Sequence, residues 1–252
     1  MPTVPRRISE SGLYHVVARG NGRQLIFTDD GDREAFLERL EHAVRENELT
    51  VIAWCLMDNH VHLVVQDDSQ RFAPVIGSLL GAYAKYFNRK TGHVGSVFQQ
   101  RFFSEPIEDD EYLLASVRYV HINPEKAGIC PAPEYRWSSY RAYATGDGDG
   151  LCATGLVLDL LDGPKGFVEL CDGVSVKDVG FEGAIKVADD EALKMANDIA
   201  RAFGYTDASV VKGLPISQRN AVVASMRGNG LTIRQVERLT GLGTGVIARV
   251  RM

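Results

Sequence analysis

The sequence predicts an α+β protein, in which an antiparallel sheet with helices on one face is followed by a small all-α domain. Two patterns lead to this prediction. Four short segments before residue 104 are rich in the apolar, β-branched and aromatic residues of strands, and the stretches between them include apolar residues at helical spacing. From Asp190 onward only the helical pattern remains.

The four predicted strands are Leu13–Arg19, Val51–Leu56, Val61–Val65 and Val97–Phe103. The turn residues Met57-Asp58-Asn59 separate the second strand from the third, which is typical of a hairpin. We therefore expect these two strands to be antiparallel neighbours.

Three helices are predicted in the same part of the chain, over residues 32–47, 72–88 and 109–122. Acidic residues favour the start of the third helix, and Pro124 is expected to end it because proline disfavours helical geometry in the residue before it. The resulting order is β-α-β-β-α-β-α. Apart from the last helix, this is the split β-α-β, ferredoxin-like arrangement.

The predicted domain organisation has three parts. Residues 1–146 form the α+β domain. Residues 147–188 begin with an Asp-Gly-Asp-Gly linker and form an acidic accessory segment, to which the sequence assigns no chemistry. In residues 189–252, Thr232-Ile233-Arg234-Gln235 matches a capping box, and Gly241-Leu242-Gly243 separates that helix from a second short one. This pattern predicts a helix-turn-helix-like, DNA-binding domain.

Composition and charge narrow the class of protein. Hydrophobic residues make up 45% and charged residues 24% of 252 residues, which favours a folded chain over a disordered one. The net charge of -5 argues against a protein that coats DNA nonspecifically. The segment from Lys212 to the end is nevertheless basic, with seven Lys or Arg residues and one acidic residue, Glu237. Four scattered cysteines indicate neither a zinc ribbon nor a disulfide framework.

No apolar stretch has the length of a membrane span, and the first residues lack the apolar core of a signal peptide. We therefore expect a soluble protein of the cytoplasm without a membrane partner.

His60 and His62 are candidate metal ligands. They are two residues apart on a predicted strand, so both imidazoles project from one face, where they are able to hold one cation. The same spacing also occurs on ordinary solvated strand faces, so a third ligand and a reactive group are needed.

Tyr119 and Asn123 supply those two groups. Their i,i+4 spacing places a phenol and an amide on one helix face, whereas His121 between them points away. Each also has a simpler interpretation: Tyr119 as a core residue, and Asn123 as the polar end of a helix before Pro124.

Three motifs together resemble the single-tyrosine HUH transposases, and among these most closely the REP-associated tyrosine transposases. The motifs begin at Met57, Phe98 and Tyr119 and read MDNHVHL, FQQRF and YVHINP. The resemblance extends from about Leu13 to Tyr143. It implies that His60 and His62 are metal ligands.

The resemblance further implies that Tyr119 is the nucleophile and that Asn123 is the third metal ligand. It also implies Mg²⁺ or Mn²⁺ as the cofactor, hairpin-forming single-stranded DNA as the substrate, and a 5′-phosphotyrosine intermediate. Related sequences often have Gln in place of Asn123, and Pro in place of Asp58. We expect the second difference to affect the turn rather than the chemistry.

Further residues are candidates for binding DNA. Near the site in sequence, basic side chains that are able to hold phosphates are Arg19, Arg23, Arg89, Lys90 and Arg101. The segment 230–250 resembles the DNA-binding helix-turn-helix of the bacterial replication initiator, which implies contacts with duplex DNA through Arg234, Arg238, Thr244 and Arg249. Each of these side chains also fits an ordinary solvated surface, and both tryptophans are expected in the core.

Two other functions stay open from the sequence. A domesticated DNA-binding protein or repressor would keep the fold without turnover, and a metal hydrolase using bound water would leave Tyr119 unexplained. The resemblance is compatible with both a monomer and a homodimer.

Overall fold

The computed structural model describes residues 6–69, 71–99, 101–173, 189–228 and 231–250. The chain divides into two compact units, Met1–Val179 and Gly180–Met252.

The first unit is built on a four-stranded antiparallel sheet. Its strands lie in the order β2-β3-β1-β4, and all three pairings are antiparallel. The strands are β1 (Leu13–Arg19), β2 (Thr50–Met57), β3 (His60–Gln66) and β4 (Phe103–Ile107). Because helices α1 (Asp30–Asn47) and α2 (Phe72–Thr91) connect β1 to β2 and β3 to β4, the predicted α+β, split β-α-β arrangement is confirmed.

Helices α1 and α2 have clear end signals. The side chain of Asp29 accepts a hydrogen bond from Asp32 N and caps α1, and Gly92 ends α2 with a left-handed φ of 70°. Tyr14 stacks on Phe72 with 4.0 Å between ring centroids, so α2 covers the face of β1 to which Tyr14 points.

The opposite face of the sheet lies under α3 (Asp110–Lys126). Its N-cap is Asp109, whose side chain accepts a hydrogen bond from Tyr112 N. Alternation along β1 directs His15 to this second face, away from Tyr14. The sheet is therefore covered by helices on both faces, and the α3 side includes the polar residues described below.

Two predicted boundaries are wrong. The fourth strand begins at Phe103 rather than at Val97. Val97 and Phe98 are buried, yet Phe98 forms only an isolated bridge with Gly20, so packing rather than strand pairing explains their apolar character.

Helix α3 does not end before Pro124 but continues to Lys126. A proline removes only one backbone donor, and the last turn keeps other bonds: Ala127 N donates to Asn123 O at 2.9 Å, and Ile129 N to Pro124 O at 2.9 Å.

Residues 140–173 complete the first unit through α4 (Tyr140–Thr145), α5 (Gly155–Leu160) and α6 (Pro164–Asp172). Phe167 of α6 is fully buried and stacks on Tyr143 with 4.7 Å between centroids. The described part of the predicted accessory segment therefore contributes to the core of this unit. The rest of that segment, 174–188, lies outside the described residues.

The described residues of the second unit are helical. The helices are α7 (Asp189–Ala202), α8 (Ile216–Gly228), α9 (Ile233–Thr240) and α10 (Thr244–Ala248). They enclose a small core of their own that includes Val222 and Val236. The predicted capping box is confirmed, because Thr232 and Gln235 bond each other's backbone at the start of α9. None of the helices in the described ranges is long and apolar enough to cross a membrane.

Candidate active site

His60 and His62 lie side by side on the α3 face of β3. Their ring centroids are 4.8 Å apart and the ring planes are nearly perpendicular, at 82°. His62 is only 4% exposed, because β1 and β2 flank it in the sheet and α3 lies above it. Both imidazoles therefore project from the same face of the strand, as their spacing in the sequence predicts.

Helix α3 brings the other two predicted residues to His62. Asn123 Nδ2 lies 3.2 Å from His62 Nε2. The ring of Tyr119 lies one helical turn before Asn123 and meets the His62 ring edge-on, with 5.5 Å between centroids. The structure therefore places these three side chains together, with His60 as the fourth member of the group.

His121 faces the opposite direction, as the helical spacing predicts. Its Nδ1 lies 2.8 Å from Val117 O and its Nε2 lies 2.8 Å from Ser139 Oγ. Ser139 in turn lies beside β2, where its hydroxyl accepts a hydrogen bond from Trp54 N at 3.0 Å. This polar connection fixes α3 over the sheet.

A residue that the sequence did not indicate, His15, also belongs to the group. His15 Nε2 lies 3.1 Å from His62 Nδ1, and the His15 side chain is fully buried. The signal in the sequence was a lone imidazole in an apolar strand, but its partner depends on how β1 pairs with β3. The register places Val17 opposite His62, so His15 is the diagonal neighbour.

His60 has a corresponding neighbour in the hairpin turn. His60 Nδ1 lies 2.7 Å from Asn59 Oδ1. An amide oxygen is only an acceptor, so Nδ1 donates the hydrogen and Nε2 of His60 keeps its lone pair.

The histidines of the site are held in the neutral form. Burial lowers the pKa of His60 to about 3, and the nearby charges of Arg19 and Arg23 act in the same direction. Burial also lowers the pKa of His15 to about 3 and the pKa of His62 well below its usual value. Neutral imidazole is the form that binds a metal ion.

The donor set fits a divalent cation with open coordination positions. It consists of two imidazole nitrogens and one side-chain amide, whose oxygen is the atom that binds hard cations. Among the described residues, no group of three or more His, Cys, Asp or Glu is placed to hold a metal. A closed structural zinc site, which needs four such ligands, is therefore a poor match.

Positive charge is present around Tyr119 and His60. Lys126 Nζ lies 5.2 Å from the centre of the Tyr119 ring. Arg19 pairs with His60 in the β1–β3 register, and both Arg19 and Arg23 act electrostatically on His60. Both arginines belong to the predicted DNA-binding set, and both lie near enough to His60 to lower its pKa.

The remaining predicted DNA-binding residues lie elsewhere. Lys90 Nζ lies 2.7 Å from Asp29 Oδ2 and 2.6 Å from Asp32 Oδ1, which offsets its charge. Arg89 is exposed on α2, and Arg101 lines a cavity of about 480 Å³ together with Arg6. In the second unit, the exposed members are Arg234, Arg238, Thr244 and Arg249.

Comparison with known proteins shows similarities for the first unit. Residues 9–123 match the family model described as "Transposase IS200 like". Over these residues the chain is similar to the IS200-like transposases.

The first unit is also similar to individual proteins. A Haemophilus influenzae protein named as a REP-associated tyrosine transposase is 26% identical over 142 residues, which cover 51% of this chain and 78% of the relative. A solved REP-associated tyrosine transposase bound to a REP hairpin is 19% identical, with a TM-score of 0.47 over 61% of this chain and 90% of the other. A transposase structure from Deinococcus radiodurans is 16% identical, with a TM-score of 0.34 over 43% and 88%.

Proposed function

We propose that this chain is a metal-dependent strand transferase that nicks and rejoins hairpin-forming single-stranded DNA, with Tyr119 as the nucleophile. The observation that carries the proposal is the convergence of three side chains. Tyr119 and Asn123 reach His62 from one helix, at 5.5 Å between rings and at 3.2 Å between nitrogens. A phenol placed beside a cluster of metal-ligand side chains is what a phosphotyrosine mechanism requires.

The chemical step is a transesterification. The phenolic oxygen of Tyr119 forms a bond to phosphorus, and the bond from phosphorus to the 3′-oxygen of the neighbouring nucleotide breaks. The proton lost by the phenol is balanced by the proton that the leaving 3′-oxygen gains, so the products are a 5′-phosphotyrosine and a free 3′-hydroxyl. Because one phosphodiester replaces another, attack by a second 3′-hydroxyl rejoins DNA without ATP.

The protein's own residues make Tyr119 a better nucleophile. An ordinary tyrosine has a pKa of about 10 and is mostly protonated at neutral pH. Lys126, with its Nζ 5.2 Å from the centre of the ring, would stabilise negative charge that develops on the phenol during the attack. The rigid connection from His121 to Ser139 holds the helix and thus the direction of the phenol.

His60, His62 and Asn123 would hold the cation, for which Mg²⁺ and Mn²⁺ are the proposed identities. When bound there, a divalent cation neutralises charge on a nonbridging phosphate oxygen and acts as a Lewis acid. None of these three ligands is a carboxylate, so the scissile phosphate of the DNA would supply most of the negative charge around the cation.

The proposed substrate is a flexible strand rather than duplex DNA. Tyr119 is half-buried on α3 and lies beside His62, so the scissile phosphate must approach the helix closely. An unpaired strand is able to bend toward such a site. Arg19 and Arg23, whose charges act on His60, would hold neighbouring phosphates.

The test is covalent capture of DNA. Purified protein is incubated with 5′- and 3′-labelled hairpin oligonucleotides in Mn²⁺ or Mg²⁺, and denaturing gels are used to detect a protein–DNA adduct. We expect the adduct only with the divalent ion and only with label on the 3′ side of the cut. Tyr119→Phe is expected to abolish it.

Tyr112→Phe is the matched control, because Tyr112 lies two helical turns before Tyr119 on the same helix. This variant should form the adduct at the wild-type rate. An adduct that persists in Tyr119→Phe would refute the nucleophile. Hairpin binding without any adduct would instead support a DNA-binding protein that has lost turnover.

The second unit is proposed to add affinity for duplex DNA. Its exposed Arg234 and Arg238 lie on α9, and Thr244 begins α10 after a three-residue connection. A short helix with basic neighbours suits phosphate contacts and a groove approach.

A further inference from the structure

The contact between His15 and His62 has a specific geometry. His15 Nε2 and His62 Nδ1 are 3.1 Å apart, and the two rings are nearly parallel, with 12° between their planes and 5.3 Å between centroids. His15 is fully buried and His62 is 4% exposed. Water therefore does not compete for this pair, and the two facing nitrogens depend on each other for a hydrogen bond.

The partners of His62 determine which of its nitrogens carries the hydrogen. Asn123 Nδ2 is a donor and lies 3.2 Å from His62 Nε2, so Nε2 is the acceptor in that contact. A neutral imidazole with a lone pair on Nε2 carries its hydrogen on Nδ1. His62 Nδ1 therefore donates to Nε2 of His15.

The same pattern applies to His60, whose Nδ1 donates to Asn59 Oδ1 at 2.7 Å. Both histidines of β3 thus bind a neighbour through Nδ1 and direct the lone pair of Nε2 away from that neighbour. For His60 the neighbour is the adjacent residue in the chain. For His62 it lies on another strand, 47 residues earlier.

We propose that His15 is a positioning residue, which accepts the hydrogen of His62 Nδ1 and so fixes the tautomer and ring orientation in which Nε2 is available to the cation. This inference rests on the proposed function. His15 does not touch DNA or the cation in this role. It acts through His62, in the manner by which acceptors behind metal-binding histidines set ligand geometry.

Loss of the acceptor has a predictable consequence. Without His15 the buried Nδ1–H of His62 has no strong acceptor on the β1 side, which costs free energy and favours the tautomer with the hydrogen on Nε2. A protonated Nε2 cannot coordinate a cation. Affinity for the metal should fall by about 10–100-fold, which is the usual effect of removing such a partner.

The experiment compares full-length variants for Mn²⁺ binding, measured by electron paramagnetic resonance of free Mn²⁺, and for thermal unfolding. His15→Leu fills the buried volume without an acceptor. His15→Gln replaces it with a side chain whose oxygen is able to reach the position of Nε2. Val17→Ala is the control, because Val17 lies directly opposite His62 and its truncation disturbs packing without removing a hydrogen bond.

We expect His15→Leu to weaken Mn²⁺ binding by about 10–100-fold, His15→Gln to recover most of the loss, and Val17→Ala to bind like the wild type at a lower melting temperature. Nitrogen-15 NMR of the imidazoles should show hydrogen on His62 Nδ1 in the wild type and on Nε2 in His15→Leu. If His15→Leu does not fold, His15→Gln carries the test: Mn²⁺ binding at least about tenfold weaker than that of Val17→Ala decides against the inference.

Equal Mn²⁺ affinity of His15→Leu and the wild type would overturn the inference and leave the proposed function standing, provided that the wild type forms the DNA adduct. Equal losses in His15→Leu and Val17→Ala would overturn it as well, because they would show a packing effect. A wild-type chain that neither binds Mn²⁺ nor forms the adduct would contradict the proposed function and with it this inference.

Discussion

Replacing Phe167 with alanine is expected to destabilise the first unit by about 3–5 kcal/mol. Phe167 lies on α6, in the segment to which the sequence assigns no chemistry, yet its side chain is fully buried. Its ring stacks on Tyr143 at 4.7 Å and meets His121 edge-on at 5.1 Å between centroids. It therefore connects the accessory segment to α3, the helix that also includes Tyr119 and Asn123.

The magnitude follows from burial. A phenylalanine buries on the order of 200 Å², and at about 25 cal/mol per Å² this gives roughly 5 kcal/mol as an upper value. Alanine keeps a small part of that area, and partial collapse of the cavity recovers more. Edge-to-face contacts with Tyr140 and His121 add to the loss.

Urea unfolding followed by tryptophan fluorescence measures the effect on this unit alone, because the only two tryptophans, Trp54 and Trp137, both lie in it. The midpoint should fall by roughly 2 M urea. Leu160→Ala is the matched control: it lies in the same segment but is 39% exposed, so its midpoint should hardly change. A loss below about 1 kcal/mol in Phe167→Ala would refute the reasoning, since surface substitutions reach that value.

Three further results are expected. Burial of Asp32 opposes its ionisation, but hydrogen bonds from Lys90 and Thr28 have the larger effect and lower the pKa of its carboxyl group. The ionised carboxylate therefore contributes its full stabilisation above about pH 4. This contribution is lost as the pH falls through the lowered pKa. Asp32→Asn should remove this acid-dependent part in pH-dependent urea unfolding, and an unchanged pH profile would contradict the assignment. Asn123→Ala should slow adduct formation by at least about tenfold, with partial recovery at high Mn²⁺; a wild-type rate would exclude it as a ligand. Replacing Arg234 with serine should lower the salt dependence of duplex binding by about one unit of log slope, whereas Arg201→Ser, whose partner is Asp198, should not; equal slopes in the two variants would contradict the DNA contact.

Local regularities made much of the fold and site predictable. The bounds of β1 agree with the prediction at both ends, because its β-branched and aromatic residues and the glycine after it are local signals. Strand alternation predicts that His60 and His62 point to the same face of the sheet. Helical spacing predicts that Tyr119 and Asn123 lie on the same face of one helix. None of these inferences requires knowledge of distant contacts.

Features that depend on long-range packing were missed or misplaced. His15 reaches His62 only through the register of β1 on β3, which a single sequence does not specify. The apolar run from Val97 imitates a strand because burial in an irregular segment selects the same residues. The burial of Phe167 in the predicted accessory segment was not foreseen, because its partners Tyr143 and His121 lie more than twenty residues earlier in the chain.

Helix α3 is the element on which the proposed chemistry depends. Asn123 contacts His62 Nε2 from one face of α3, and Tyr119 lies one turn earlier on that face. His121, on the other face, is held by Ser139 and by Phe167. A displacement of α3 therefore moves the nucleophile and a metal ligand together, so that metal affinity and adduct formation should decline in parallel when the contacts of His121 are weakened. Loss of metal affinity without loss of adduct formation, or the reverse, would instead require a local change at Tyr119 or Asn123.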